Sequence, residues 1–83
     1  MLTGAQMRMA RGYLRWSVRD LAAASEVSEA TIKRMEAVDG VPQHVLTANL
    51  TKIRATLEGE GIVLPLDNGT AVSVRARELA PTE

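Results

Sequence analysis

The chain has 83 residues, of which 46% are hydrophobic and 24% charged, and ten basic side chains balance ten acidic ones. These proportions are those of one small soluble domain. No cysteine is present, which excludes disulfides, thiolate zinc sites and a cysteine nucleophile. Because there is also only one histidine, the sequence predicts neither a metal site nor a cofactor.

Hydropathy and charge limit the possible partners. No run of about 18 apolar residues occurs, so the sequence predicts no membrane span. The first six residues lack the basic and apolar regions of a signal peptide, which predicts a cytoplasmic protein. Basic residues outnumber acidic ones six to four up to Glu36, and the ratio reverses after it. The front half is therefore mildly basic, without the general positive coat that favours nonspecific nucleic-acid binding.

Signals for helix ends predict four helices in the first sixty residues. Thr3 and Gln6 have the three-residue spacing of a capping box, and so do Ser17 and Asp20. Ser28 is a third candidate N-cap. A stripe of aliphatic residues at helical spacing marks the last helix: Leu46, Leu50, Ile53 and Leu57. The predicted helices cover about 4–14, 17–24, 28–37 and 45–59.

After residue 60 the hydrophobic pattern changes from helical spacing to alternation, which is typical of β-strands. The stretch Asp67-Asn68-Gly69-Thr70 separates two alternating runs, and an Asn-Gly pair there predicts a β-hairpin. The apolar residues of the two runs are Ile62, Leu64, Leu66, Val72 and Val74. The chain therefore divides into a helical domain at about 1–60, a hairpin at about 61–78 and a frayed tail at about 79–83.

The second and third predicted helices are short and are joined by about three residues, which describes a helix-turn-helix. The core positions expected in this unit are Leu21, Ala22, Val27, Ile32 and Met35. Ala24 is expected to lie beside the crossing of the two helices, where a small side chain fits. Trp16, just before the unit, is expected to be a core residue rather than a platform for stacking on bases.

Two motifs identify the unit more closely. The more specific one is Trp16-Ser17-x-x-Asp20-Leu21-Ala22 followed by Val27-Ser28-x-x-Thr31-Ile32-x-x-Met35-Glu36. The other is Leu2-Thr3-Gly4-Ala5-Gln6 through Ala10-Arg11. Through these motifs the chain resembles the lambda-repressor-like family of helix-turn-helix regulators, also called the xenobiotic-response-element family. The resemblance runs from Thr3 to Leu57 and implies a mainly α fold with a four-helix core, followed here by the C-terminal hairpin.

The family resemblance also implies a function. Such proteins are bacterial transcriptional regulators that bind double-stranded DNA, with the third helix in the major groove and the second over the phosphate backbone. An ion pair between Arg11 and Glu36 would link the first and third helices. Val18 stands where many members have glutamine, which removes one polar contact of the second helix. The residues that would face DNA are Ser17, Arg19, Ser28, Glu29, Ala30, Thr31, Lys33 and Arg34.

Side-chain chemistry favours some of these contacts over others. Arg34 can pair bidentately with guanine, which is worth about 1–3 kcal/mol of discrimination against other bases. Thr31 can hydrogen-bond a base or touch a thymine methyl group. Glu29 can accept from cytosine but is repelled by phosphates. Arg8 and Arg15, on the first helix, are expected on a solvated face, with phosphate contact as the alternative.

The apolar side of the hairpin needs a cover, because a lone hairpin is only marginally stable in water. It packs either against helices of its own chain or against the same element of a second chain. We favour the second arrangement, because helix-turn-helix proteins commonly bind DNA as dimers and an edge strand is a ready pairing surface. The sequence thus predicts a homodimeric regulator joined through Ile62, Leu64, Leu66, Val72 and Val74. Repression is the favoured activity, and activation stays open because the resemblance does not fix the sign of regulation.

A different function stays open beside DNA binding. The same domain could be a protein-interaction module, such as the antitoxin of a toxin–antitoxin pair or a subunit of a larger regulatory complex. The neutral net charge and the apolar hairpin support this alternative. An enzyme is not expected, since no residue spacing suggests a catalytic triad and no glycine-rich phosphate loop follows a strand.

Overall fold

The computed structural model describes residues 2–64 and 72–74, and these residues form a mainly helical structure. The helices are α1 Gly4–Leu14, α2 Val18–Ser25, α3 Glu29–Glu36 and α4 Thr47–Gly59. They are followed by two short strands, β1 Ile62–Val63 and β2 Ser73–Val74. Within these ranges, no helix is long and apolar enough to cross a membrane.

Local capping explains where the first three helices begin. The Thr3 hydroxyl accepts from the Gln6 amide at 3.0 Å, and the Gln6 side chain accepts from the Thr3 amide at 2.9 Å. Ser17 and Asp20 form the same reciprocal pair at the start of α2, at 3.0 and 2.9 Å. Ser28 accepts from the Thr31 amide at 3.2 Å at the start of α3. All three N-caps predicted from the sequence are confirmed, and each helix begins one residue after its cap.

The start of α4 differs from its prediction. The helix begins at Thr47, and Leu46 is its N-cap with no side-chain hydrogen bond. Leu46 is 71% exposed, so its assignment to the buried stripe was wrong, whereas Ile53 and Leu57 are fully buried and Leu50 is half-buried. The reason is the backbone of Leu46, which is extended and therefore carries the side chain off the inner face of the helix.

The core is aliphatic and draws on every helix and on the first strand. Trp16, Ala22 and Leu50 are partly buried against it. Ala24 is exposed, and α2 turns Leu21 and Ser25 inward. The buried hydrophobic residues are Leu2, Met7, Ala10, Leu21, Val27, Ile32, Met35, Ile53, Leu57, Ile62 and Leu64.

The two strands pair antiparallel, with Ile62 opposite Val74 and Val63 opposite Ser73. Strand β1 contacts α4, and Ile62 is fully buried. Leu64 is 5% exposed, and its carbonyl accepts from Arg54 Nη1 at 3.2 Å. The described part of the hairpin therefore packs against its own chain, which is the arrangement that we did not favour from the sequence.

A homodimer would need another apolar contact surface, because Ile62 and Leu64 are already buried against their own chain. Val72 is partly buried against the same core. The other predicted contacts and features, namely Leu66, the side chain of Val74, the turn at 67–70 and the tail at 79–83, lie outside the described residues.

The start of α1 holds the loop that follows α3. The Gly4 amide donates to the Gly40 carbonyl at 2.9 Å, and the Ala5 amide donates to the Asp39 carbonyl at 3.3 Å. Arg8 donates to the Glu36 carbonyl and forms an ion pair with Asp39. Arg8 is therefore engaged with its own chain rather than lying unpaired on a solvated face.

Candidate nucleic-acid interface

A three-residue turn joins α2 to α3. Glu26 ends α2 in a left-handed backbone conformation, with φ of 63°, and its amide donates to the Ala22 carbonyl at 2.9 Å. Val27 follows and is buried, and Ser28 then caps α3. Since the two helices contact each other and share the core, the turn fixes the direction in which α3 leaves the domain.

Helix α3 has a buried side and an exposed side. Ile32 and Met35 are fully buried on the inner side, and Glu36 is 8% exposed. Thr31 is half-buried at the boundary. The other predicted DNA-facing residues of α3 and its N-cap are all exposed: Ser28, Glu29, Ala30, Lys33 and Arg34. The predicted base contacts therefore share one solvent-facing surface.

The hydroxyl groups at the start of α3 are partly used within the chain. Ser28 Oγ donates to Thr31 Oγ1 at 2.9 Å while it accepts from the Thr31 amide. Ser28 has thereby committed its only hydroxyl proton, whereas Thr31 keeps its own. Thr31 is consequently the better hydrogen-bond donor to a ligand at this surface.

Two cations extend from the last turn of α3. Lys33 and Arg34 are exposed, and neither has an ion-pair partner among the described residues. Glu29, in the first turn, is exposed as well. The acidic residue lies at the positive N-terminal end of the helix dipole and the two cations lie at its negative C-terminal end. The positive charges of α3 remain available to an anion.

At the start of α2 the capping box uses the Ser17 and Asp20 amides, while the Ser17 hydroxyl accepts and keeps its own proton. The Ser17 amide donates to the Asp20 carboxylate, so it has no free proton for a phosphate. Arg19 is exposed and has no ion-pair partner in the described part of the chain. Val18 is half-buried against the core, which explains an apolar residue at this position.

Arg11 connects α1 to both α3 and the segment before α2. Its Nε and Nη2 donate to the two carboxylate oxygens of Glu36 at 2.8 and 2.7 Å, and its Nη1 donates to the Trp16 carbonyl at 3.0 Å. Hydrogen bonding to Glu36 raises the pKa of Arg11, and partial burial opposes this rise. The predicted ion pair is therefore present, and it is bidentate.

Sequence reasoning missed two features next to this surface. The first is Arg8, which joins Arg11 in holding the C-terminal end of α3, through the Glu36 carbonyl. The spacing of Arg8 and Arg11, three residues apart on one helix face, was the available signal. The second is Arg15, which ends α1 with φ of 58°. No residue pattern signals this conformation, because glycine is the usual residue there and none follows Leu14.

A shallow apolar cavity lies beside the first half of α4. It has a volume of about 170 Å³ and is lined by Leu2, Thr47, Leu50, Thr51 and Arg54. Among the residues that the structure describes, no group of three or more His, Asp or Glu side chains could hold a metal ion. None of the predicted DNA-facing residues lines this cavity.

Comparisons with models of known protein families, with curated proteins and with solved structures find no match for this chain.

Proposed function

We propose that this protein is a sequence-specific, double-stranded DNA-binding transcriptional regulator with a lambda-repressor-like fold. The observation that carries the proposal is the exposed side of α3, which presents Lys33 and Arg34 without ion-pair partners in the described residues. Helix α3 follows α2 after a turn of three residues. A B-DNA major groove is about 12 Å wide and admits an α-helix in this way.

The exposed side of α3 supplies the contacts that would read bases. Arg34 pairs with the two acceptor atoms of guanine, and Thr31 donates its free hydroxyl proton to a base acceptor. Ala30 touches a thymine methyl group. Glu29 accepts from the amino group of cytosine and repels phosphates. It therefore also disfavours binding in registers that would place it near a phosphate.

Contacts to the phosphate backbone would come from both helices. Arg19 at the start of α2 and Lys33 in α3 each neutralise a phosphate. Ser17 contributes its hydroxyl proton, since its amide is paired with Asp20. These contacts fix the position of the domain on the duplex, while the α3 side chains select the sequence.

The regulator acts as a cytoplasmic homodimer in this proposal. One recognition helix reads only a few base pairs, so two copies related by a two-fold axis bind a pseudo-palindromic operator. Occupying such an operator at a promoter represses transcription.

Salt dependence tests the proposal. Binding to duplex DNA should weaken with salt, and the log–log slope should be about −0.9 for each phosphate neutralised. An Arg19→Ala variant should make this slope less steep by about 0.9. Lys52→Ala is the matched control, because Lys52 is also an exposed cation but lies on α4. Duplex binding that does not respond to salt, or an equal effect of the two variants, would contradict the proposal.

The exposed apolar side chains favour a second candidate, a protein-interaction module. Met9 and Tyr13 lie four residues apart on α1 and are 43% and 53% exposed. A partner that covers this pair would make the protein an adaptor or an antitoxin. In that case the protein would bind no duplex at any salt concentration, and a Tyr13→Ala variant would lose the partner.

A further inference from the structure

Three non-glycine residues among those described have a left-handed backbone: Arg15, Glu26 and His44. Two of them end helices. Arg15 follows α1 with φ of 58°, and Glu26 follows α2 with φ of 63°. Glycine is the usual residue at such positions, because a side chain there strains the backbone. A cation kept in this conformation is therefore a candidate for binding an anion, whereas the negative charge of Glu26 is not.

Hydrogen bonds hold the Arg15 backbone in place. Its amide donates to the Gly12 carbonyl at 3.2 Å, and the next amide, of Trp16, donates to the Arg11 carbonyl at 2.9 Å. The Arg15 side chain is exposed and has no ion-pair partner in residues 2–64 and 72–74. A free cation thus extends from a fixed point of the backbone.

This fixed point lies beside the proposed DNA interface. Arg11 donates to the Trp16 carbonyl and to the Glu36 carboxylate, so the residue after Arg15 is joined to the C-terminal end of α3. On its other side the segment continues directly into α2, where Arg19 is exposed. Arg15 therefore precedes the residue that Arg11 joins to α3, and it lies three residues before the start of α2.

We propose that Arg15 binds a backbone phosphate of duplex DNA, and that its left-handed backbone fixes the cation at this edge of the interface. The proposal rests on the proposed DNA-binding function. Because the backbone at Arg15 is already held by hydrogen bonds, binding there costs less backbone ordering than binding by a residue on a mobile loop. The contact carries no sequence information, so it should strengthen binding to all duplexes alike.

A pair of glycine variants separates the charge from the backbone strain. Arg15→Gly and Glu26→Gly relieve the same left-handed conformation, and each should raise the melting temperature by about 4 °C or more. Their effects on DNA should differ. Arg15→Gly should weaken duplex binding about five- to tenfold at 0.1 M salt and make the salt slope less steep by about 0.9. Glu26→Gly should not weaken binding, and Arg15→Lys should keep the wild-type slope.

Each alternative result has a distinct meaning. If Arg15→Gly keeps the wild-type affinity and slope, Arg15 is a solvated residue and the inference is wrong. It is equally wrong if Glu26→Gly causes the same loss, since the loss then comes from the backbone, or if neither variant raises the melting temperature. If the wild-type protein binds no duplex at all, the proposed function itself fails, and the inference fails with it.

Discussion

At the scale of single residues, Gly4 shows how closely α1 approaches the loop after α3. A Cβ atom at this position would overlap the Val38 carbonyl oxygen and lie 2.6 Å from that of Met35. We expect Gly4→Ala to lower the free energy of unfolding by about 1–3 kcal/mol, since backbone atoms must shift to make room. Chemical denaturation of the variant measures this loss.

Gly12 provides the control for this prediction. It lies on the same helix, and a Cβ there would meet no atom within 4 Å. Gly12→Ala should therefore raise the free energy of unfolding by about 0.5–1 kcal/mol through helix propensity. Equal effects of the two substitutions would show that the close approach at Gly4 does not limit stability.

The contacts of the two arginines on α1 differ in how far the sequence predicts them. The pair of Arg11 with Glu36 was predicted because both side chains belong to the motifs that carry the family resemblance. The contacts of Arg8 were not predicted, because they go to the Glu36 carbonyl and to Asp39 in a loop. The spacing of Arg8 and Arg11 shows that they share a helix face, but backbone carbonyls and loop positions leave no sequence pattern that identifies the partners of Arg8.

At the scale of helices and strands, the caps were predictable and the start of α4 was not. A cap joins residues only two or three positions apart, so Ser17 with Asp20 and Ser28 with Thr31 can be found from spacing alone. Leu46 continued the helical stripe backwards by one turn, but the helix had not yet begun there. Hydrophobic spacing therefore predicted the buried face of α4 better than its first residue.

The unfilled cap of α4 gives a testable prediction. Leu46 offers no oxygen to the first amides of the helix, and its side chain is 71% exposed. Leu46→Ser should raise the free energy of unfolding by about 1 kcal/mol, because the hydroxyl caps the helix and little buried surface is lost. Leu46→Ala supplies no cap and is the control. Thermal or chemical unfolding in which both variants behave alike would argue against this account of α4.

At the scale of the whole molecule, the sequence predicted four helices followed by a hairpin, and the described residues contain the four helices and two short antiparallel strands. It did not predict what covers the hairpin. Alternation shows that Ile62 and Leu64 need an apolar cover, but the covering residues, in α4 and elsewhere in the core, are distant in sequence. The same limit applies to the candidate interface. The pattern selects the outward positions of α3, whereas the hydrogen bond that occupies Ser28 becomes visible only in the folded chain.

The measurement that tests the central claim most directly is selection of binding sites from a random duplex library. It should be run in parallel with the wild-type protein, an Arg34→Ala/Thr31→Ala variant and the Lys52→Ala control. We predict that the wild type and the control enrich the same pseudo-palindrome, with half-sites about one helical turn apart. The double variant should lose that preference, because Arg34 and Thr31 are the proposed base contacts. If the folded wild-type protein enriches no sequence, or the double variant enriches the same one, α3 does not read DNA as proposed.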